Sequence, residues 1–413
     1  MGQRMTGWIL GWLLALLLWA PPATSAVTDY TAEQHYVGEV WHIVHRSYVD
    51  PTFNNQNWFK VRRQYVNRRY QSREETYAAV REMLASLDDP FTRLLDPEQY
   101  AAIQTSTSGE LTGVGLQIAI DITNGQVLVV APVEGSPADR AGILPLDRIV
   151  EIDHAATAGM TLDQCAERLR GVAGSEVLIR IEREGASTPQ QLEFLIRRDR
   201  ITVNPVSYRL NEQDGHRIAY IRLSQFNGNA VTDMAEALKT LEAQGADRYI
   251  LDLRGNPGGL FDAGLAIARM WLDDGVLVHT ADRQGLQESY TADHTALTQD
   301  PLIVLTNGGT ASSSEILGGA LQDNHRALLV GTRTFGKGLI QSLHAMPDGS
   351  GVIVTVARYE TPAHHDINRR GITPDREVRL PAPLTRAQLG TPEDAQYQAA
   401  LTLLAETPTE TQS

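Results

Sequence analysis

The sequence predicts a multi-domain chain of mixed α+β and α/β type, with a helical N-terminal region, a small β-rich module and a larger α/β layer in succession. Three observations predict it. At 413 residues the chain exceeds one ordinary domain. Its apolar spacing changes twice, from helical periodicity to short strands broken by Gly and Pro near residue 107, then to strands alternating with long helices from about residue 216. With 42% hydrophobic and 21% charged residues it has apolar material for several cores and not the composition of a disordered chain.

Residues 1–26 stand apart: Arg4, an apolar run from Trp8 to Ala20, then PPATSA ending at Ala26. This pattern reads as a secretory signal peptide, and the run is shorter than the roughly 20 residues needed to span a bilayer. The expected place of work is therefore outside the cytoplasm. Residues 27–106 form the helical region. AEQHYVGEVWHIVHRSYV (32–49) is one helix; EETYAAVREMLASL (74–87) is a second, with Tyr77, Val80, Met83, Leu84 and Leu87 at helical spacing and Asp88-Asp89-Pro90 ending it. Residues 107–198 hold the β-rich module, with GVGLQIAI, QVLVVAPV, DRIVEI and VLIRIERE as strands around the helix TLDQCAERLRG. Across 199–390 the order is RIAYIRL, NAVTDMAEALKTLEAQG, RYILDLR, LFDAGLAIARMWL, LIVLT, SSSEILGGALQDN, ALLVG and VIVTVARY, strand and helix by turns before two final strands. The tail, 391–413, adds one helix and a polar end.

Composition narrows the function. A formal charge of −14 repels a phosphate backbone, so no nucleic-acid partner is expected. The single cysteine, Cys165, excludes an internal disulfide and a Cys-rich zinc site, and its amphipathic surroundings mark it as a buried small hydrophobe. His364-His365-Asp366 lacks a third ligand at recognisable spacing, so neither metal nor cofactor is expected.

Four strings carry chemistry. In GVGLQI, the N–H groups of Val114, Gly115 and Leu116 can line one concavity and hold a carboxylate, or the string is a turn. In DLRGNPGG, Asp252 to Gly259, backbone amides stand ahead of a helix near Phe261, ready for a phosphate or a transient oxyanion; the absence of Gly-Lys-Ser/Thr and of G-x-G-x-x-G disfavours the phosphate. In TNGGTASSSEILGGALQDN, serines sit where a helix begins, as N-caps or as a hydroxyl beside free N–H groups. In GTRTFGKGLIQS, glycines flank Lys337, either as an ordinary surface lysine or as a lysine brought into a tight site where it can lose its proton.

From GVGLQI through EGSPADRAGI, DRIVEID and the helix at 161–170, the module resembles a PDZ domain of the bacterial protease type. Pro145-Leu146-Asp147 departs from the usual Pro-Gly-Asp, so Leu146 is expected to be strained if that turn needs positive φ. The ordered strings D-L-R-G-N-P-G-G, N-G-G-T-A-S-S-S-E-I and F-G-K-G-L-I-Q resemble the carboxyl-terminal processing proteases, Ser/Lys-dyad serine endopeptidases with a PDZ domain and a ClpP/crotonase-like core. FNNQNWF and REETYAAVREMLASLDDPFTRLLDPEQY resemble their cyanobacterial and chloroplast branch. The resemblance implies Ser312 as nucleophile, Lys337 as general base, Gln341 orienting it, and an oxyanion hole from the N–H groups of Gly258 and Ser313, with Gly259 in reserve. For Gln341 to reach Lys337, residues 337–341 should form a helical turn. The resemblance further implies protein substrates with accessible apolar C-terminal tails, the photosystem II reaction-centre precursor among them. It places the enzyme in the periplasm or thylakoid lumen, with membrane contact only through substrate or an uncleaved signal. The terminal carboxylate would rest on the amides around Val114, Gly115 and Leu116, over a groove of Leu116, Ile118, Leu162 and Leu169. Two rivals remain: a PDZ scaffold with an inactive protease domain, expected to lack Ser312 or Lys337, and an acyl-CoA enzyme of crotonase-like fold, which needs neither PDZ domain nor export signal.

Overall fold

A computed structural model describes residues 31–121, 125–133, 135–184, 188–202, 204–285, 287–382 and 384–406. The leader at 1–26 and the polar end of the tail lie outside these residues. No helix among the described residues is long and apolar enough to cross a membrane.

Side-chain caps start the first three helices: Thr31 opens α1 (Ala32–Ser47), Asn57 opens α2 (Trp58–Val66) and Ser72 opens α3 (Arg73–Ala85). A short strand β1 (Arg93–Leu95) and α4 (Pro97–Ser108) follow. β1 pairs antiparallel with the distant strand Gly351–Glu360, Arg93 opposite Ile353. The helices share one core with that partner: Trp41, Val80, Met83 and Leu84 pack with Met346, Val352 and Val354. The helical region, described from residue 31, thus buries its apolar faces against the α/β layer.

The β-rich module contains β2 (Glu110–Gly113), β3 (Leu116–Ile120), β4 (Val127–Pro132), α5 (Pro137–Ala141), β5 (Arg148–Ile152), β6 (Ala155–Ala156), α6 (Leu162–Leu169), β7 (Glu176–Arg183), β8 (Gln190–Arg197) and β9 (Asp199–Thr202). The sheet runs β3-β4-β5-β7-β8, and β2 pairs with β9 in a ribbon of its own. Its core includes Val129, Ile149, Ile152, Ile179 and Ile181, with Cys165 fully buried among them, as its surroundings required. Leu146 sits at φ 71°, the strained conformation expected of it.

The last layer comprises β10 (Val206–Gln213), β11 (His216–Leu223), α7 (Ala230–Ala243), β12 (Arg248–Asp252), α8 (Phe261–Trp271), β13 (Val276–Asp282), β14 (Gln287–Thr291), β15 (Leu302–Thr306), α9 (Ser313–Asp323), β16 (Ala327–Gly331), β17 (Leu339–Ala345), β18 (Gly351–Glu360), β19 (Arg376–Glu377) and α10 (Ala395–Glu406). The main sheet runs β10-β11-β12-β15-β16-β19, parallel except at β10. β12 and β15 are buried at every position, which explains their unbroken apolar runs. Met234, Leu238, Trp271, Leu317 and Leu321 of α7, α8 and α9 cover one face; Tyr397, Leu401 and Leu404 of α10 cover the other. A second sheet joins β1, β18, β13 and β14, with β17 on β18. The loops leaving the C-terminal ends of β12 and β15 meet where ligands gather in open α/β sheets.

Candidate active site

The loop after β12 rests on a buried ionic network. The Arg254 guanidinium, 3% exposed, donates to both oxygens of Asp252 and of Asp394 at 2.6–2.9 Å and to Gln396 Oε1 at 2.9 Å. Two carboxylates around one guanidinium satisfy its planar fork, so the D-L-R string anchors the loop and α10 together. Asn256 then ties this loop to the one after β15: its carbonyl accepts from the Ala311 N–H at 3.0 Å and the Ser314 hydroxyl at 3.0 Å.

Ser312 heads α9 with φ 57° and ψ −120°, a sharp strand-to-helix elbow that a non-glycine residue adopts only under constraint. Of the three serines it alone is incompletely buried. The Ser313 hydroxyl donates to the Gly259 carbonyl at 3.2 Å and the Ser314 hydroxyl to Asn256, so both are occupied. The constraint on Ser312 is Glu315, 0% exposed. Its Oε2 accepts the N–H of Ser312 and of Lys337, each at 2.9 Å; its Oε1 accepts the Gly336 N–H at 2.8 Å and the Thr334 hydroxyl at 2.5 Å. One carboxylate therefore fastens the serine elbow to the lysine loop. Tyr359 adds a second fastening, its hydroxyl 2.5 Å from the Lys337 carbonyl and 3.1 Å from that of Ser312.

Ser312, Ser313, Lys337, Gln341, Gly258 and Gly259 line one cavity of about 700 Å³. No direct hydrogen bond joins Ser312 and Lys337, as is common in sites without substrate. Burial pushes the Lys337 amine below the ordinary lysine range, and the charge of Arg93 pushes it further, against the opposing pull of Glu315 and Asp89. The Phe91 ring covers the amine, 5.1 Å from its centroid. Residues 337–341 are not the expected helical turn: Lys337 lies in the loop before β17, and Gln341 lies in β17, where a bulge leaves Val356 of β18 unpaired beside the Ile340–Gln341 step. Gln341 lines the cavity from this strand, and its buried Nε2 takes no acceptor among the described residues. The Gly258 N–H is also not as expected, since Asn256 Oδ1 accepts it at 2.9 Å. The N–H groups of Gly259 and Ser313 have no acceptor among the described residues. Glu315, Tyr359, Phe91 and Arg93 escaped the reading of the sequence as site residues; D-P-F-T-R after a helix stop was the available signal.

A profile of "Peptidase family S41" matches residues 217–378, and one of the PDZ domain matches 128–183. A "Carboxyl-terminal-processing protease" of Synechocystis sp. is 51% identical over 98% of this chain and 95% of that protein. The chain belongs to peptidase family S41. The "Carboxyl-terminal-processing peptidase 2, chloroplastic" of Arabidopsis thaliana is 46% identical over 82% of this chain and 67% of its own. A solved "photosystem II D1 C-terminal processing protease" is 44% identical, with a TM-score of 0.57, covering 84% of this chain and 94% of that one. An S41 protease structure from Bacteroides fragilis, 16% identical at TM-score 0.58, shares the fold. This S41 chain is a serine-type, carboxyl-terminal-processing peptidase with a PDZ domain.

In the PDZ domain of this S41 peptidase the carbonyls of Val114 and Gly115 accept the N–H groups of Ala138 and Val133, both at 2.8 Å. The N–H groups of Val114 and Gly115 have no acceptor among the described residues. Gly115 sits at φ 79°, where a Cβ would overlap Ser136. Beside these amides Leu116, Ile118, Ala166 and Leu169 line a small groove. Leu162, expected in the groove, is not among its lining residues; Ala166, one turn further along α6, is. His364, the other notable residue, stacks on His279 at 4.0 Å, with Nδ1 3.1 Å from Glu360 Oε2.

Proposed function

We propose that this peptidase is exported and cuts protein substrates near free apolar C-termini through a Ser312/Lys337 dyad. The observation that carries the reading is the shared carboxylate: Glu315 holds Ser312 in a strained elbow and fixes the Lys337 loop beside it. Neutral Lys337 takes the Ser312 proton as Oγ bonds to the scissile carbonyl carbon. The oxyanion rests on the N–H groups of Ser313 and Gly259, and Gly258 joins them if Asn256 releases it. The C–N bond then breaks, the leaving amine takes the proton from Lys337, and water hydrolyses the acyl-enzyme. Gln341 positions the lysine, and the Val114–Leu116 amides receive the substrate's terminal carboxylate. The leader at 1–26 directs the enzyme to the periplasm or thylakoid lumen, where the D1 precursor of photosystem II is the proposed client, as the solved relative's name suggests.

The test is mass spectrometry of a protein with an apolar C-terminal tail, and of a D1 C-terminal peptide, incubated with wild type and variants. Ser312→Ala and Lys337→Ala each lose about 10³-fold or more in rate while remaining folded by circular dichroism, since nucleophile and base act as one unit. Gln341→Ala loses less. Undiminished cleavage by folded Ser312→Ala rejects the dyad; an uncut D1 peptide beside a cut model tail rejects the client alone.

A further inference from the structure

The active cavity contains a cation that the dyad does not use. Arg93 lies on β1, contributed by the helical region, and its side chain lines the cavity of Ser312 and Lys337. It also lines a neighbouring cavity of about 440 Å³, formed with Arg81, Leu94, Gln99 and Ala102. Arg93 and Ile103 belong to both, so a chain running from the cut into the second cavity passes the guanidinium. The Arg93 side chain has neither hydrogen bond nor ion pair among the described residues, and the residue is exposed. Arg81, by contrast, faces Asp96 at 3.7 Å.

Nearby carboxylates do not compete for it. Asp89 accepts the Phe91 N–H and the hydroxyls of Thr92 and Thr355 at 2.6–2.9 Å. Glu315 is filled by its four donors. A free guanidinium in a substrate cavity is a receptor for a planar carboxylate, which it binds in bidentate fashion.

We infer that Arg93 is a specificity-determining residue that receives the carboxylate of an Asp or Glu side chain close to the scissile bond. The inference rests on the protease reading above. A side chain is favoured over the substrate's terminal carboxylate because that group has its own receptor in the free amides of Val114 and Gly115, and the peptide backbone at the cut carries no charge.

The test uses the full-length enzyme and tail peptides that differ only in Asp against Asn, or Glu against Gln, at each position within three residues of the cut. At one position wild type should cleave the acidic peptide on the order of tenfold faster in kcat/KM, a preference that shrinks at high salt. The acid-to-amide ratio falls to about one in Arg93→Gln and persists in Arg93→Lys, and Arg93→Glu prefers Lys at that position. Using a ratio cancels any general effect of the substitution on Lys337. A wild-type ratio of one at every position, or an undiminished ratio in Arg93→Gln, overturns the inference. Cleavage of the Asn and Gln peptides and its loss in Ser312→Ala test the underlying reading separately.

Discussion

Ser312 shows how one residue's conformation is held against its own preference. An L-residue at its φ and ψ costs about 1–3 kcal/mol, and each charge-assisted hydrogen bond to a buried carboxylate contributes about 1.5–3 kcal/mol, so the bond from the Ser312 N–H to Glu315 by itself offsets the strain. Lys337 is governed by a different balance. Burial and the Arg93 charge favour its neutral form, Glu315 and Asp89 favour the charged one, and the net direction is downward. In the proposed dyad only the neutral amine accepts the serine proton, so log kcat/KM should rise with unit slope as pH increases and level off at a pKa below the 10.5 of an ordinary lysine. Arg93→Gln removes one of the lowering influences and moves the profile to higher pH. A limb centred near 6.5, the value of an unperturbed histidine, would contradict lysine as the base.

At the scale of elements, the same chemistry appears as joints between loops and helices. Arg254 connects the end of β12 to the start of α10, and among the described residues its partners Asp252 and Asp394 have no other cation at comparable distance; Arg222 stands off at 3.4 Å from Asp252. Arg254→Leu strands two buried carboxylates and should destabilise the protein by about 3–5 kcal/mol in urea unfolding, a cost of removing one partner that exceeds the net worth of the pair. Acid should release the same joint. Burial pushes the Asp394 carboxyl up, but the hydrogen bond from Arg254, then the Gly390 N–H, the Arg254 charge and the Tyr397 N–H bring it below the usual 3.8. A lowered carboxyl contributes stability that is complete above its unfolded value and disappears as pH falls through the folded one. The loss therefore belongs below pH 3.8, and Asp394→Asn should flatten it.

Across the whole molecule, the helical N-terminal region completes the peptidase: it shares a core with β18, adds β1 to the second sheet, places Phe91 over the lysine and sets Arg93 on the wall of the same cavity as the lysine. The PDZ domain supplies the other recognition surface. If the proposed roles hold, full-length Ser312→Ala should leave peptides uncut and bind a free-acid tail peptide on the order of tenfold tighter than its C-terminal amide, because amidation removes the charge proposed to rest on the Val114 and Gly115 amides. Replacing an apolar last residue by Ala should cost up to about 1.5–3 kcal/mol, the value of burying a Val- or Leu-sized side chain. Equal affinities in titration calorimetry would show that the groove does not read C-termini.

What the sequence by itself determined was whatever local periodicity and spacing encode. The parallel-sheet strands at 248–252 and 302–306 were legible because burial on both faces demands unbroken apolar runs, and the helices at 230–243, 261–271 and 313–323 because a segment of helical length follows each strand; the last is buried on all sides from Ser313 to Leu321. Cys165 and Leu146 were legible for the same local reasons. The order of three motifs indicated the protease. Only the tertiary structure decided the contacts formed by residues far apart in the chain. A helical turn was expected at 337–341 because i and i+4 meet on a helix; the strand pairing of β17 with β18, whose register shifts at Ile340–Gln341, overrode that, and Gln341 lines the cavity from a strand instead. Whether Gly258 or Gly259 offers its amide depends on Asn256, and the charge state of Lys337 depends on Arg93, 244 positions earlier. Hydrogen bonds and Coulomb forces act through space, so a one-dimensional pattern shows which residues are fit for such roles and folding alone brings the partners together.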